Sequence, residues 1–96
     1  MKGYLVLDLS VVDKKGFLEY AKKIPEFIKK YGGRYIVKGV VPEVVEGNWS
    51  PERLVVLEFP SMERVKGFLG DQEVKELFLL RHSTTNSRLI LAEGCV

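Results

Sequence analysis

The chain has 96 residues, a hydrophobic fraction of 46% and a formal net charge of +2 at pH 7. This length predicts a single domain, residues 1–96, with a modest core. The paired lysines of the first predicted helix are interpreted as a solvated face, and no apolar run approaches the ~20 residues that span a bilayer. We therefore expect neither a nucleic-acid nor a membrane partner. The single cysteine, Cys95, excludes an intrachain disulfide and indicates a cytoplasmic protein.

The first part of the chain predicts a strand followed by a helix. Gly3–Val11 is nearly continuously apolar, as expected of a strand, and Asp13 is a suitable N-cap. Apolar residues then recur at three- and four-residue steps up to Tyr31, which is the period of an amphipathic helix. Pro25 lies inside this pattern and predicts a kink or a break. Gly32-Gly33 suits the left-handed residue that ends a helix.

The middle of the chain predicts a second strand and a loop. Arg34–Lys38 forms the strand, and its continuation towards Val45 is left open, with an irregularity at Gly39 or Pro42. Glu46–Pro51 reads as a turn or loop because it combines glycine, asparagine, serine and proline.

The remainder predicts a strand, a divided helix and a last strand. Arg53–Phe59 is the most apolar strand of the chain. Ser61 caps the helix that follows, Gly70 interrupts it, and Asp71 caps a further helical segment. Asn86–Glu93 forms the last strand.

This order of elements predicts an α+β fold of the ferredoxin-like βαββαβ type. The connection rules favour a four-stranded antiparallel sheet in the order 4-1-3-2, with the helices on one face. In that order the first and third strands are central, and these are the two most apolar strands of the sequence.

The strands also predict self-association. Leu5 points to one face of the sheet while Tyr4 and Val6 point to the other, so both faces are apolar. Helices cover only one face, and a large uncovered apolar face is rare on a monomer. We expect a homodimer that packs sheet on sheet, as in a dimeric α+β barrel. The alternative is that Gly39–Glu52 folds back over its own sheet.

Three blocks of the sequence together resemble the domain-of-unknown-function family 1330. They are Tyr-Gly-Gly-Arg-Tyr-Ile-Val-Lys-Gly, Val-Val-Glu-Gly-Asn-Trp-Ser-Pro-Glu-Arg and Val-Leu-Glu-Phe-Pro-Ser. The resemblance covers almost the whole chain and implies a dimeric α+β barrel of ferredoxin-like protomers, with no established activity. Val40, Phe68 and Val74 depart from the residues usual in that family.

Two carboxylates interrupt the central strands. Asp8 is expected near Arg53, and Glu58 near Tyr4 and Arg34. A carboxylate in apolar surroundings needs a partner or shifts towards its neutral form. Either residue is therefore a candidate general base, and the alternative is a structural ion pair.

Three arginines are candidate ligand-binding residues. Arg34, Arg53 and Arg81 carry guanidinium groups that bind anions in a bidentate manner. Arg81 lies on the apolar stripe of its helix and is expected to face inward, either towards a ligand or towards Glu58 or Asp8.

The single tryptophan and the single histidine each leave alternatives open. Trp49 is interpreted as a lid over a pocket, as an anchor across a dimer, or as a plug that closes the core. His82 alone is weak support for haem binding and also suits a helix C-terminus as a cation. No cluster of metal-ligand residues has the required spacing, so no metal or cofactor is predicted.

The sequence supports competing functions. The first is the binding of a small organic or anionic molecule between the sheet and the helices. If the protein also acts on that molecule, it is a cofactor-free monooxygenase or isomerase. The second is a non-catalytic dimeric interaction module, and the third, an RNA binder, conflicts with an aliphatic sheet face. The candidate residues for the first function are Tyr4, Tyr20, Arg34, Glu58 and Arg81. Among them, Tyr20 is a candidate catalytic residue in addition to the carboxylates.

Overall fold

The computed structural model describes all 96 residues and contains four strands and three helices. The elements are β1 (Gly3–Val11), α1 (Lys14–Lys30), β2 (Arg34–Val40), β3 (Arg53–Phe59), α2 (Met62–Gly70), α3 (Gln72–Thr84) and β4 (Thr85–Glu93). The predicted order is confirmed, including the division of the second helix before Asp71. The last strand begins at Thr85, one residue before the predicted start.

The strands form one antiparallel sheet in the order β2-β3-β1-β4. This is the predicted 4-1-3-2 order of a ferredoxin-like fold. The two most apolar strands, β1 and β3, occupy the centre of the sheet, where both of their edges are paired. Within the sheet, Val6 lies opposite Val56 of β3 on one side and opposite Ile90 of β4 on the other.

All three helices pack on one face of the sheet, and the core lies between them. None of the three has the length and apolar character needed to cross a bilayer. Burying a large apolar side chain stabilises the fold by about 1.5–3 kcal/mol. The core side chains come from β1, β3 and every helix, and are those of Leu5, Tyr20, Ile24, Ile28, Leu57, Phe59, Val65, Phe68 and Val74.

Helix α1 begins and ends as predicted but does not break at Pro25. The Asp13 carboxylate accepts a hydrogen bond from the Gly16 N–H at 3.2 Å, and Gly32, at φ 78°, follows the helix end. Pro25 cannot donate to the Ala21 carbonyl, which costs helix stability. The helix nevertheless continues because the face around this turn is buried against the core.

Strand β2 is irregular and ends at Val40, so it does not continue towards Val45. Its pairing with β3 shifts twice, and Gly39 adopts φ 69°, which confirms the irregularity predicted there. The first shift brings Tyr35 and Lys38 to the same face of the sheet, with the Lys38 Nζ atom 4.8 Å from the centre of the Tyr35 ring. Regular alternation would have placed these two side chains on opposite faces.

The second face of the sheet, here called the open face, carries no helix. Val6 and Val56 lie at its centre and are half-buried, while Ile90 on the edge strand is 62% exposed. Trp49, from the loop between β2 and β3, contacts this face through Asp8 and stays 52% exposed. The loop therefore covers the open face only in part.

Candidate functional site

An apolar cleft lies between α1 and the β2–β3 half of the sheet. Its inner part has a volume of about 200 Å³, and 10 of its 13 lining residues are hydrophobic or aromatic. The polar groups of the lining belong to Tyr20 on α1 and to Tyr35 and Lys38 on β2. Ala21 and Pro25 form part of the wall. Because Pro25 has no N–H to donate to the Ala21 carbonyl, a residue of the cleft has a carbonyl without its helical donor.

The cleft opens to solvent past the start of α1. An adjoining outer cavity of about 480 Å³ shares Phe17 and Gly39 with the inner part. Its charged lining residues are Lys14, Glu52 and Arg53. A molecule entering here would pass charged groups before it reaches the apolar interior.

The floor of the cleft is formed by Tyr20, which is joined to a buried arginine. Tyr20 is 7% exposed and Arg81 is 2% exposed. The Arg81 Nη1 atom donates to the Tyr20 hydroxyl at 3.3 Å, and its Nε atom donates to the Ser87 Oγ atom at 3.4 Å. The guanidinium carbon lies 4.2 Å from the centre of the Phe78 ring. The prediction that Arg81 faces inward is therefore confirmed.

Arg81 has no carboxylate partner, so the alternative in which it pairs with Glu58 or Asp8 is wrong. The ion pairs of the molecule join those two acids and Asp71 to other cations. Since Glu58 pairs with Tyr4 and Asp8 with Leu54 across the β1–β3 ladder, both carboxylates lie on the open face, on the other side of the sheet from Arg81.

The two tyrosines of the cleft are held in their neutral form. Burial raises the pKa of Tyr20, although the neighbouring Arg81 opposes this shift. Burial also raises the pKa of Tyr35 to about 12, with a smaller contribution from Tyr20. Both hydroxyls are therefore hydrogen-bond donors at neutral pH.

A second predicted group of residues meets on the open face around Glu58. The Tyr4 hydroxyl donates to one carboxylate oxygen of Glu58 at 3.0 Å, and the Arg34 Nε atom donates to the other at 3.0 Å. The Arg34 Nη2 atom lies 2.9 Å from the same oxygen in an ion pair. The hydrogen bond from Tyr4 and that from Arg34 lower the pKa of Glu58. A carboxylate held ionised and fully partnered in this way is a structural ion pair, and its predicted neighbours Tyr4 and Arg34 are confirmed.

A third group meets at the other end of the open face, around Asp8. The Trp49 indole N–H donates to the Asp8 carboxylate at 2.9 Å, and Arg88 donates to the same oxygen at 2.6 Å. The bond from Trp49, followed by that from Arg88, lowers the pKa of Asp8. Trp49 thus lies over the sheet surface and is half exposed, so its interpretation as a plug of the core is wrong.

The expected proximity of Asp8 and Arg53 is also wrong. Arg53 lies opposite Leu9 in the β1–β3 ladder, one residue away from the position opposite Asp8. Because successive side chains of a strand point to opposite faces, Arg53 points to the helix side, where its Nη1 atom donates to the Gly39 carbonyl at 3.3 Å. It lines the entrance of the cleft instead.

His82 is exposed, and its Nε2 atom lies 3.4 Å from the Arg81 Nη2 atom. Haem binding stays a hypothesis. No group of three histidine, cysteine or acidic side chains has the geometry of a metal site.

The participation of Tyr35, Lys38 and Arg88 was not predicted from the sequence. Arg88 stands directly opposite Asp8 in the β1–β4 ladder, so aligning the first and last strands would have found it. Tyr35 and Lys38 become neighbours only through the shift in β2, for which the sequence carried no signal at that position.

Comparison with known structures agrees with this architecture. A protein of unknown function from Rhodopseudomonas palustris superposes with a TM-score of 0.79 at 14% identity, over 99% of this chain and 83% of that one. A variant of SnoaB, a cofactor-independent oxygenase from Streptomyces nogalater, gives 0.70 at 10% identity, over 99% and 94%. A candidate antibiotic biosynthesis monooxygenase from Nitrosomonas europaea gives 0.59 at 14% identity, over all of both chains. At such identities the likeness shows the fold alone.

No curated protein sequence matches the chain significantly. The family model for a domain of unknown function, DUF1330, matches residues 2–95, which confirms the family resemblance found in the sequence. Because this match spans nearly the whole chain, the protein belongs to the DUF1330 family.

Proposed function

We propose that the protein binds a small, largely apolar organic molecule in the cleft between α1 and the β2–β3 half of the sheet. The observation that carries the proposal is the inner cavity of about 200 Å³, with an apolar wall and a few polar groups at its floor and mouth. An apolar protein cavity of roughly 150 Å³ already accommodates benzene. Ligand sites commonly combine such a wall with a small number of placed polar groups.

The oxygenase names of two structural neighbours do not extend the proposal to catalysis. SnoaB and the Nitrosomonas europaea protein share the fold with this chain at 10% and 14% identity. One fold hosts many functions, so turnover of the bound molecule is left outside the proposal. The competing proposal, a non-catalytic dimeric interaction module, makes no use of the cleft, and the following experiment separates the two.

The cleft can be filled without changing the rest of the surface. Ala21 lines the cleft, and the Ala21→Phe substitution would place a ring inside it. Lys22 is the next residue and is exposed, so Lys22→Phe adds a ring outside the cleft as a matched control. We expect toluene, a neutral probe with one ring, to bind the wild type and Lys22→Phe saturably in ligand-observed NMR titrations, and to bind Ala21→Phe at least about tenfold more weakly. Equal binding by Ala21→Phe, or no saturable binding by the wild type, would overturn the proposal.

We also propose that two copies of the protein pair through their open faces as a homodimer. The support is the apolar character of this face, where Val6 and Val56 lie at the centre and Ile90 at the edge is 62% exposed. A self-complementary apolar face is a typical two-fold interface. Trp49, which is bonded to Asp8 at one end of this face and is half exposed, is proposed to contact the second copy.

Sedimentation velocity at micromolar concentration tests the dimer. Ile90→Glu places a charge on the open face, whereas Leu79→Glu places the same charge on α3, at a side chain that is 67% exposed. The two original side chains are similarly exposed, so both variants are expected to fold. We expect the wild type and Leu79→Glu to sediment as dimers and Ile90→Glu as a monomer. A monomeric wild type would refute the proposal.

We propose a cytoplasmic location on the ground that the single cysteine, Cys95, is a free and exposed thiol. Fractionation of cells that express the natural protein tests this.

A further inference from the structure

Arg81 is the only charged side chain that is buried in the molecule. Its hydrogen-bond partners are the hydroxyl oxygens of Tyr20 and Ser87 and a ring nitrogen of His82. None of these groups carries a negative charge at neutral pH. Burying an ion without a counter-ion is costly, so buried charges in proteins are usually paired with an opposite charge.

The protein's own acids do not supply the missing counter-charge. Asp8 and Glu58, which interrupt the central strands, lie on the open face and are bonded to Arg88 and Arg34. On the helix side, Asp71 is bonded to Lys30, at the junction of α2 and α3. The positive charge of Arg81 is therefore left without compensation by the folded chain.

The guanidinium is connected to the cleft through Tyr20. The Tyr20 hydroxyl accepts its hydrogen bond from Arg81, so its own proton is free to be donated to another acceptor. Tyr20 lines the cleft of about 200 Å³ on one side and a small cavity of about 20 Å³ on the other, and Arg81 lines the small cavity. The inner cleft contains one charged residue, Lys38, which is also positive.

We propose that the molecule bound in the cleft is a small aromatic carboxylic acid, whose ionised carboxylate accepts a hydrogen bond from the Tyr20 hydroxyl. Arg81 acts behind Tyr20 as a positioning residue that polarises the hydroxyl and supplies the counter-charge. Hydrogen bonds to ionised acceptors are roughly twice as strong as those between neutral groups, and low-dielectric surroundings strengthen them further. The inner volume of about 200 Å³ suits one aromatic ring with its carboxylate. This inference rests on the proposed function, because it names the class of molecule that the same cleft binds.

Calorimetric titration with two matched probes tests the charge preference. Benzoate and benzyl alcohol have the same ring and similar size, but only benzoate is charged at neutral pH. We expect the wild type to bind benzoate about tenfold more tightly than benzyl alcohol. In Tyr20→Phe and Arg81→Met this preference should fall several-fold, since the donor or the charge behind it is lost, and the remaining preference is the attraction of Lys38. Arg81→Lys keeps a positive charge and should retain part of the preference.

The ratio of the two affinities separates a binding role from a structural one. A variant that merely loosens the cleft weakens both probes equally and leaves the ratio unchanged, which would overturn the role of Arg81. Arg64→Met, which removes an exposed arginine on α2, serves as a control that keeps the ratio. If the wild type binds both probes equally, the carboxylate preference is refuted while the cleft remains a binding site. If neither probe binds, both the inference and the proposed function fail. Should Arg81→Met not fold, Tyr20→Phe alone decides.

Discussion

Replacing Arg81 by methionine tests whether the arginine holds the fold together. Desolvation of a buried ion costs several kcal/mol after relaxation of the protein. Against this, the Phe78 ring at 4.2 Å contributes about 2 kcal/mol as a desolvated cation–π contact. The hydrogen bonds to Tyr20 and Ser87, at 3.3 and 3.4 Å, each contribute about 1.5 kcal/mol, the lower end for a charged group because both are long. These effects nearly cancel.

We therefore expect Arg81→Met to change the free energy of unfolding by no more than about 1 kcal/mol. Tyr20→Phe alone should cost about 1–3 kcal/mol, because it leaves a buried guanidinium N–H without its acceptor. The double variant removes donor and acceptor together and should be more stable than the sum of the single changes predicts. Urea unfolding followed by circular dichroism measures all three.

A large loss of stability in Arg81→Met would refute this expectation. Breaking a buried ion pair costs about 3–5 kcal/mol. A loss of that size in Arg81→Met, with additive effects in the double variant, would show that the arginine is a structural anchor. Arg81 would then not be an uncompensated charge available to a ligand in the cleft.

Three further predictions concern packing and ionisation. In Gly33→Ala the new Cβ atom would lie 2.6 Å from the fully buried Phe59 ring, so we expect the free energy of unfolding, measured with urea, to fall by about 1–3 kcal/mol. The control is Gly70→Ala, whose Cβ atom would have no atom within 4 Å and should not destabilise the fold. Because the folded-state pKa of Glu58 is lowered from 4.5, its contribution to stability is present above that value and is lost as pH falls, and Glu58→Gln should flatten this acid dependence. Titration of tyrosine absorbance should show a component with a pKa near 12 that disappears in Tyr35→Phe. Persistence of this component in the variant would refute its assignment to Tyr35.

The sequence predicted the fold because several local signals agreed. The ends of the helices were marked by the glycines after α1 and by the caps at Asp13, Ser61 and Asp71. The apolar central strands agreed with the same topology. Of the kink or break expected at Pro25, the break did not occur, because tertiary packing of the helix face outweighed the missing hydrogen bond. Local propensity is a weak guide where a long buried face compensates for its loss.

The candidate site was less predictable because its residues depend on the register of the sheet. Asp8 and Arg53 looked close when the strands were compared by position, but a one-residue difference in register sends their side chains to opposite faces. The shift in β2 likewise brings Lys38 to the ring of Tyr35. Such contacts require exact pairing, which hydrophobic patterns alone do not specify.

The distribution of charge across the sheet connects the two proposals. On the open face, Glu58 and Asp8 each accept hydrogen bonds from an arginine and from an aromatic side chain, so their charges are compensated within one chain. An apolar face whose charges are already paired packs against another protein surface at a lower electrostatic cost than a face with unpaired charges. On the helix side, the buried positive charge of Arg81 has only neutral partners. The uncompensated charge thus lies on the side of the sheet that holds the cleft, which favours assembly through the open face and binding of an anion on the helix side.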